Sequence, residues 1–377
     1  MNHRERVLAV LNYQSYDHLP LVHFGFWTET LEKWAEEGHI SMAEALGWGD
    51  GNEIDRKLGA QLGFDFNWSM SSFGPYTHLQ PQFERKTVAE FPDGTRHVLN
   101  GDGVVVVQKD DATGIPAEID HLLKGRAEWE EHYLPRLKFT PQRVNANPER
   151  IAAIQSGEWT YPVQIWCGSL YGYIRDWLGV VNASYLQVDD PDLFTEMIDT
   201  LADLTFQSVE ANLAQIPADV PLDYGHFWED ICFKSGPLIK PALFRQKIGP
   251  HYRRITDLLH RRGVNLVSLD CDGKIDALLP IWLENGVNVM YPIEVGTWNA
   301  SIKPWREKYG RELRGVGGMD KRVFAFDRPA IDAEVERLKE LVDLGGYIPC
   351  PDHRIPPDAK WENVLYYTER MRRTFGG

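Results

Sequence analysis

Cysteine is scarce, with four in 377 residues. Cys167, Cys232, Cys271 and Cys350 stand far apart without CxxC spacing. That excludes a disulfide scaffold and points to a reducing, cytoplasmic setting. Long apolar runs are missing too. No stretch approaches the roughly 20 residues a helix needs to span a bilayer, and the apolar patch in MNHRERVLAVLNYQ is too short and interrupted for a signal peptide. Basic residues are in deficit: 40 Lys and Arg against 55 Asp and Glu leave a formal net charge of −15. With no long basic run, the chain is not expected to bind nucleic acid or an anionic membrane. No glycine-rich phosphate loop follows the first apolar run, which counts against a doubly wound dinucleotide fold. Internal repeats and low-complexity tracts are absent.

What is present is a succession of apolar runs separated by helical segments. Asn2 and Glu5 have capping-box spacing at the head of a first helix. Apolar runs at 20–26, 63–68, 161–166, 220–225, 266–270, 287–294, 312–318 and 345–350 read as strands. Eight strands with helical crossovers predict an α/β fold of the (β/α)8 TIM-barrel type, as one domain over 1–377. Residues 70–115 have a different texture. Short β-rich runs split by PDG and NGDG predict a small antiparallel β insertion.

The stretch that organises the chain is LVSLDCDGKIDALLPIWLENGVNVMYPIEV, residues 266–295. It reads as strand, polar turn, helix, strand, and parallel strands need such a crossover. Barrel enzymes place their chemistry just past the carboxyl ends of the strands. That rule gathers His23, Asp65, Cys167, His226, Glu229, Asp270, Cys271, Asp272, Glu294, Asp320, Cys350 and His353 on one face. Two carboxylates around a thiol at Asp270–Cys271–Asp272 are costly to bury without a metal, a basic group or a shared proton. The alternative is a solvated turn that caps the next helix. His353, in a proline-rich turn after the last strand, suits acid–base work or metal ligation. His226, Glu229 and Asp230 form a third polar cluster, which also fits a plain surface pair. Trp166, Trp177, Trp228 and Trp282 fit core packing, or in part an aromatic wall for a flat ligand.

At these residues the sequence resembles the uroporphyrinogen decarboxylase superfamily. The carriers are NHRERVLAVLN with Asp17 and Pro20, CFKSGPLIKPALF from Cys232 to Phe244, LVSLDCDG, and GGYIPCPDHRIPPD followed by ENVLYY. The resemblance implies a distorted (β/α)8 barrel. The porphyrinogen decarboxylases carry an Arg-rich stretch after the first strand, where this chain has FGFWTET. Without that guanidinium clamp for carboxylates, the resemblance lies nearer the corrinoid-dependent methyltransferase branch. In those relatives zinc is held by a His-x-Cys pair and a late Cys. Aligned on Gly273, the three positions fall on Asp270, Asp272 and His353, with Cys271 and Cys350 close enough to substitute. The expected metal is therefore zinc or another divalent ion, held by an oxygen and nitrogen set.

The expected function is a methyltransferase moving a methyl group between a small, methoxylated substrate and a corrinoid protein. Catalytic roles fall to His353, Glu229 and His226, and substrate contacts to Asp65, Trp166, Trp228 and Cys350. The chain lacks a DxHxxG corrinoid motif, so the corrinoid would come on a partner protein. A homodimer is a further expectation. The runners-up are a decarboxylase or lyase acting on a small carboxylated substrate, and a non-catalytic small-molecule-binding barrel.

Overall fold

The computed structural model describes residues 1–109 and 116–376. The chain starts as its sequence dictates. Asn2 accepts from the Glu5 amide, Glu5 accepts back from the Asn2 amide, and the helix His3–Leu11 follows. Eight parallel strands come next in chain order: Val22–His23, Phe66–Asn67, Gln164–Trp166, Tyr224–Trp228, Leu266–Asp270, Val289–Ile293, Arg314–Met319 and Tyr347–Pro351. The last six form one sheet in sequential order, and the first two pair with each other.

Single parallel bridges link the two sheets at both seams. Phe73, just past the second strand, pairs with Ile165 of the third, and Phe26, past the first, pairs with Ile355, past the eighth. The result is the distorted α/β barrel that the apolar runs predict, with helices packed outside. Phe227 of the fourth strand meets Tyr252 of the helix Gly249–Arg261, ring centroids 5.0 Å apart. Side chains alternate across a strand, so Tyr224, His226 and Trp228 point into the barrel. Among the described residues, no helix is long and apolar enough to cross a membrane.

Several boundaries differ from the sequence reading. The antiparallel excursion consists of Lys86–Glu90, Arg96–Leu99, Val104–Gln108 and Glu118–His121, paired as a four-stranded meander. It thus begins and ends later than 70–115, and residues 110–115 of that expectation lie outside the described residues. The segment 70–85 is irregular, pinned by Phe73 at the barrel seam and by Arg143, whose guanidinium donates to the carbonyls of Tyr76 and His78. The fourth strand also runs later than 220–225. Pro221 has no N–H to give a ladder, and the Asp223 carboxylate is spent on the Val163 amide at 2.7 Å and on Arg4.

Candidate functional site

The fourth and fifth strands carry their chains to the same rim of the barrel. Beyond Trp228, residue 230 turns into the left-handed region at φ +45°, a conformation that Asp tolerates better than most residues. The Asp230 carboxylate there accepts from the Asp272 amide at 3.0 Å. Gly273, at φ +86°, lets the next turn pass close to the Cys232 carbonyl. Three carboxylates converge as a result. One oxygen each from Asp230, Asp270 and Asp272 lies within 4.8 Å of the others.

From the far end of the chain, His353 brings Nε2 to 3.2 Å from Asp272 Oδ2. Its ring stacks on Trp27, centroids 5.5 Å apart, and leans on Phe24 at 5.2 Å. Arg354 faces the same mouth, where Asp50 takes its guanidinium at 2.6 Å. Asn67 holds the other Asp50 oxygen at 2.8 Å.

The electrostatics follow from crowding acids in a sheltered rim. Burial, then the neighbouring Asp272, raises the Asp230 carboxyl to about 6. Burial, then Asp230 and Asp272, pushes Asp270 well above the usual carboxylate range, and Arg354 only partly offsets this. Burial and Asp272 likewise raise Glu294, which accepts from the Gly273 amide and from Thr297 Oγ1. Asp272 Oδ1 is buried with no partner among the described residues. Three convergent carboxylates, one with an orphaned oxygen, and the raised proton affinity of Asp230 and Asp270 fit a divalent cation, which would satisfy the orphan and favour the ionised forms of those two.

The residues present do not fit a thiolate zinc site. Cys271 lies between Asp270 and Asp272 in sequence but on the opposite face, beside Cys232 and Tyr252. Cys350 is fully buried in the eighth strand. Burial raises both thiols well above their ordinary values, and neither sulfur is among the ligand atoms that converge at the rim. Their expected substitution as ligands is corrected on that ground.

The structure brings Asp270, Asp272 and His353 together as the sequence predicts, and adds Asp230. It disperses the others. His226, Glu229 and Asp230 have three separate environments, because alternation sends His226 inward and Glu229 outward. Glu229 is completely buried. Its carboxylate accepts from Ser169 Oγ at 3.0 Å and from the amides of Leu170, Tyr171 and Gly172 at 2.8–2.9 Å, and the Tyr252 hydroxyl also donates to it. It anchors the amino end of the helix Gly172–Asp189, and with every lone pair committed it is not placed to serve as a mouth acid. Asp65 precedes the second strand, so it sits at the opposite, amino end of the barrel. There it holds the Leu21 amide at 2.8 Å and Arg372 at 2.7 Å, away from any substrate at the mouth. Cys350, sealed in its strand, has no exposed surface to offer a substrate.

Trp166 and Trp228 line the interior near the mouth, Trp166 at 5.8 Å from the His226 ring and Trp228 at 5.7 Å from Tyr173. The sequence reading missed Asp50, Arg354 and Tyr291. Tyr291 shares a row with Asp270 in the sheet register, and only that register reveals it.

The family model for uroporphyrinogen decarboxylase (URO-D) matches residues 168–374. Among solved structures, a methyltransferase from Methanosarcina mazei superposes with a TM-score of 0.60 at 17% identity, covering 99% of this chain and 99% of that one. A B12-independent methionine synthase from Shewanella sp. W3-18-1, in complex with selenomethionine, gives a TM-score of 0.44 at 11% identity, covering 95% and 98%. The first likeness is one of fold. No curated protein matches the chain in sequence.

Proposed function

Since this chain belongs to the uroporphyrinogen decarboxylase family, we propose that it is a methyltransferase. In this reading it moves a methyl group between a small methoxylated substrate and a corrinoid carried by a partner protein. The observation that carries it is the convergence of Asp230, Asp270 and Asp272 with His353 at the open mouth of the barrel. The three carboxylates would hold a divalent ion, with the His353 imidazole beside it. When bound, such an ion supplies Lewis-acid polarisation of an ether oxygen.

The chain's own groups do the rest. Trp27 and Phe24 fix the His353 ring. From there Nε2 is positioned to give a proton to the oxygen that leaves as the methyl group departs. Trp166 and Trp228 present flat faces to an aromatic substrate.

Decarboxylation has weaker support. Arg354 is a guanidinium at the mouth that Asp50 already neutralises, and Arg175, over the Trp228 ring, is paired with Asp176. That leaves little net charge to hold a substrate carboxylate.

The test combines metal analysis with spectroscopy. Purified protein is titrated with Mn2+, then mixed with cob(I)alamin and methoxylated benzenes while methylcobalamin absorbance is followed. One ion per chain, lost in Asp272→Asn, and methylcobalamin formation that falls at least a hundredfold in His353→Ala are expected. Protein that binds no ion and methylates no cob(I)alamin, yet releases CO2 from carboxylated substrates, would replace this reading with the decarboxylase one.

A further inference from the structure

After the third strand the helix Gly172–Asp189 is broken at Gly179, whose φ is +71° and whose approach to the His121 ring leaves no room for a Cβ. The turns beyond the break bury Ala183 and Leu186. A helix with one buried side normally turns polar residues to the solvent. This one turns out Val181, Tyr185 and Val188, at 65%, 64% and 70% exposure. Spacings of four and three residues line them up as one ridge. Among the described residues, three of the four most exposed large hydrophobics belong to this ridge.

A groove of about 640 Å³ adjoins the ridge. The helix lends it Ser184, Gln187 and Val188, and the segment after the fourth strand lends it Leu238, Lys240 and Leu243. Its shape is set in advance, because Gln187 Nε2 donates to the Tyr171 hydroxyl at 3.1 Å and to the Leu238 carbonyl at 3.4 Å. Apolar surface of this kind marks a place where another macromolecule docks. Two observations say which one. Ridge and groove are neighbours on one chain and share Val188, so a single two-fold rotation covers both, as a self-complementary contact requires. The charges agree. Lys240 lines the groove and Asp189 ends the ridge. Both are exposed, and neither has an ion-pair partner among the described residues. An unrelated partner of one sign would match only one of them, whereas a second copy offers the opposite charge to each. The formal net charge of −15 drives copies apart elsewhere, so a contact between them needs an apolar face with its own charge pairs.

We propose that this face joins two copies of the chain as a two-fold dimer. The ridge of Val181, Tyr185 and Val188 on each copy enters the groove of the other, and Lys240 of each meets Asp189 of the partner subunit. The dimer stands whether or not the carboxylate rim holds an ion.

Sedimentation velocity on the full chain tests it. Wild-type protein should be dimeric at about 10 μM, with a Tm that rises with concentration. Tyr185→Asp, at the centre of the ridge, should raise the dimer dissociation constant by roughly a hundredfold or more, and its Tm should no longer depend on concentration. The side chain is exposed in the single chain, so far-UV circular dichroism should match wild type. A charge swap serves as a second test that does not disturb the apolar surface. Lys240→Asp and Asp189→Lys should each weaken the dimer by about tenfold, and the double variant should recover wild-type affinity to within a few-fold. Wild-type protein that stays monomeric would overturn the proposal, as would a dimer that Tyr185→Asp leaves intact. A double variant as weak as the two singles would overturn the pairing of Lys240 with Asp189, and with it the two-fold arrangement.

Discussion

Asp230 is the residue on which the rim's behaviour turns. Its carboxyl is raised from an ordinary 3.8 to about 6 in the folded chain. An acid whose folded value is raised holds its proton more tightly when folded. Its contribution to stability is complete below 3.8 and is lost as pH climbs through 6. Asp230→Asn keeps a side chain that tolerates positive φ and removes the titration. The Tm of this variant relative to wild type, both metal-free, should therefore rise between pH 4 and pH 7. Scanning calorimetry at both pH values reads the difference, and saturating Mn2+ should erase or reverse it. A constant difference would mean that Asp230 does not carry the raised proton affinity.

Glu229, one position earlier, should behave in the opposite way. Its substitution by Ala strands three amides, a serine hydroxyl and a tyrosine hydroxyl in the interior. A loss of at least about 3 kcal/mol in urea unfolding is expected, with Mn2+ affinity per folded molecule retained. These neighbours show what sequence alone conveys. Their acidity is visible, but the side of the strand each one faces depends on a boundary that Pro221 and Asp223 had moved.

At the scale of elements, the turn after the fifth strand was the most legible part of the site. An apolar run followed by Asp-Cys-Asp-Gly marks a strand end locally, and strand alternation alone separates the two acids from the thiol. The turn's partner was not legible. Asp230 meets Asp272 only because the fourth and fifth strands are adjacent in register. Asp65 was misjudged for a related reason: GFDFNW reads as one strand, but only Phe66–Asn67 pairs, which puts the acid at the amino end. The turn itself makes a sharp prediction. A Cβ on Gly273 would lie 2.3 Å from the Cys232 carbonyl oxygen, at a φ of +86°. Neither backbone can yield cheaply, so Gly273→Ala should cost about 1–3 kcal/mol. It should also displace Asp272 and weaken Mn2+ binding by tenfold or more. Thermal unfolding and a Mn2+ titration on the same sample check both. A stable variant with normal ion affinity would show that the turn does not set the position of Asp272.

Across the whole molecule, the eight-strand count was readable, because buried parallel strands need apolar runs and crossovers wherever they occur. How the ring closes was not, since closure depends on contacts between residues hundreds of positions apart. The six-stranded sheet is held by ladders of several residues, with a register shift between Met290 and Ile293, whereas each seam has little more than one bridge. Trp27 donates to the Ile355 carbonyl and Ile355 to that of Gly25, while Phe73 and Trp166 join the other side. Segments with few hydrogen bonds open at lower free energy than a ladder's interior. The amides of Trp27, Ile355, Phe73 and Trp166 should thus exchange with solvent faster than those of Val267 to Leu269, by about tenfold or more. The two seams should also respond differently to an ion. His353 lies two residues before Ile355, stacks on Trp27 and reaches Asp272, so a cation held by the three carboxylates would restrain the seam between the eighth and first strands through His353. Mn2+ should slow exchange at Trp27 and Ile355 and leave Phe73 and Trp166 unchanged, as read by peptide-resolved hydrogen exchange. Equal slowing at both seams would indicate a general gain in stability, and no slowing at either would detach His353 from the ion altogether.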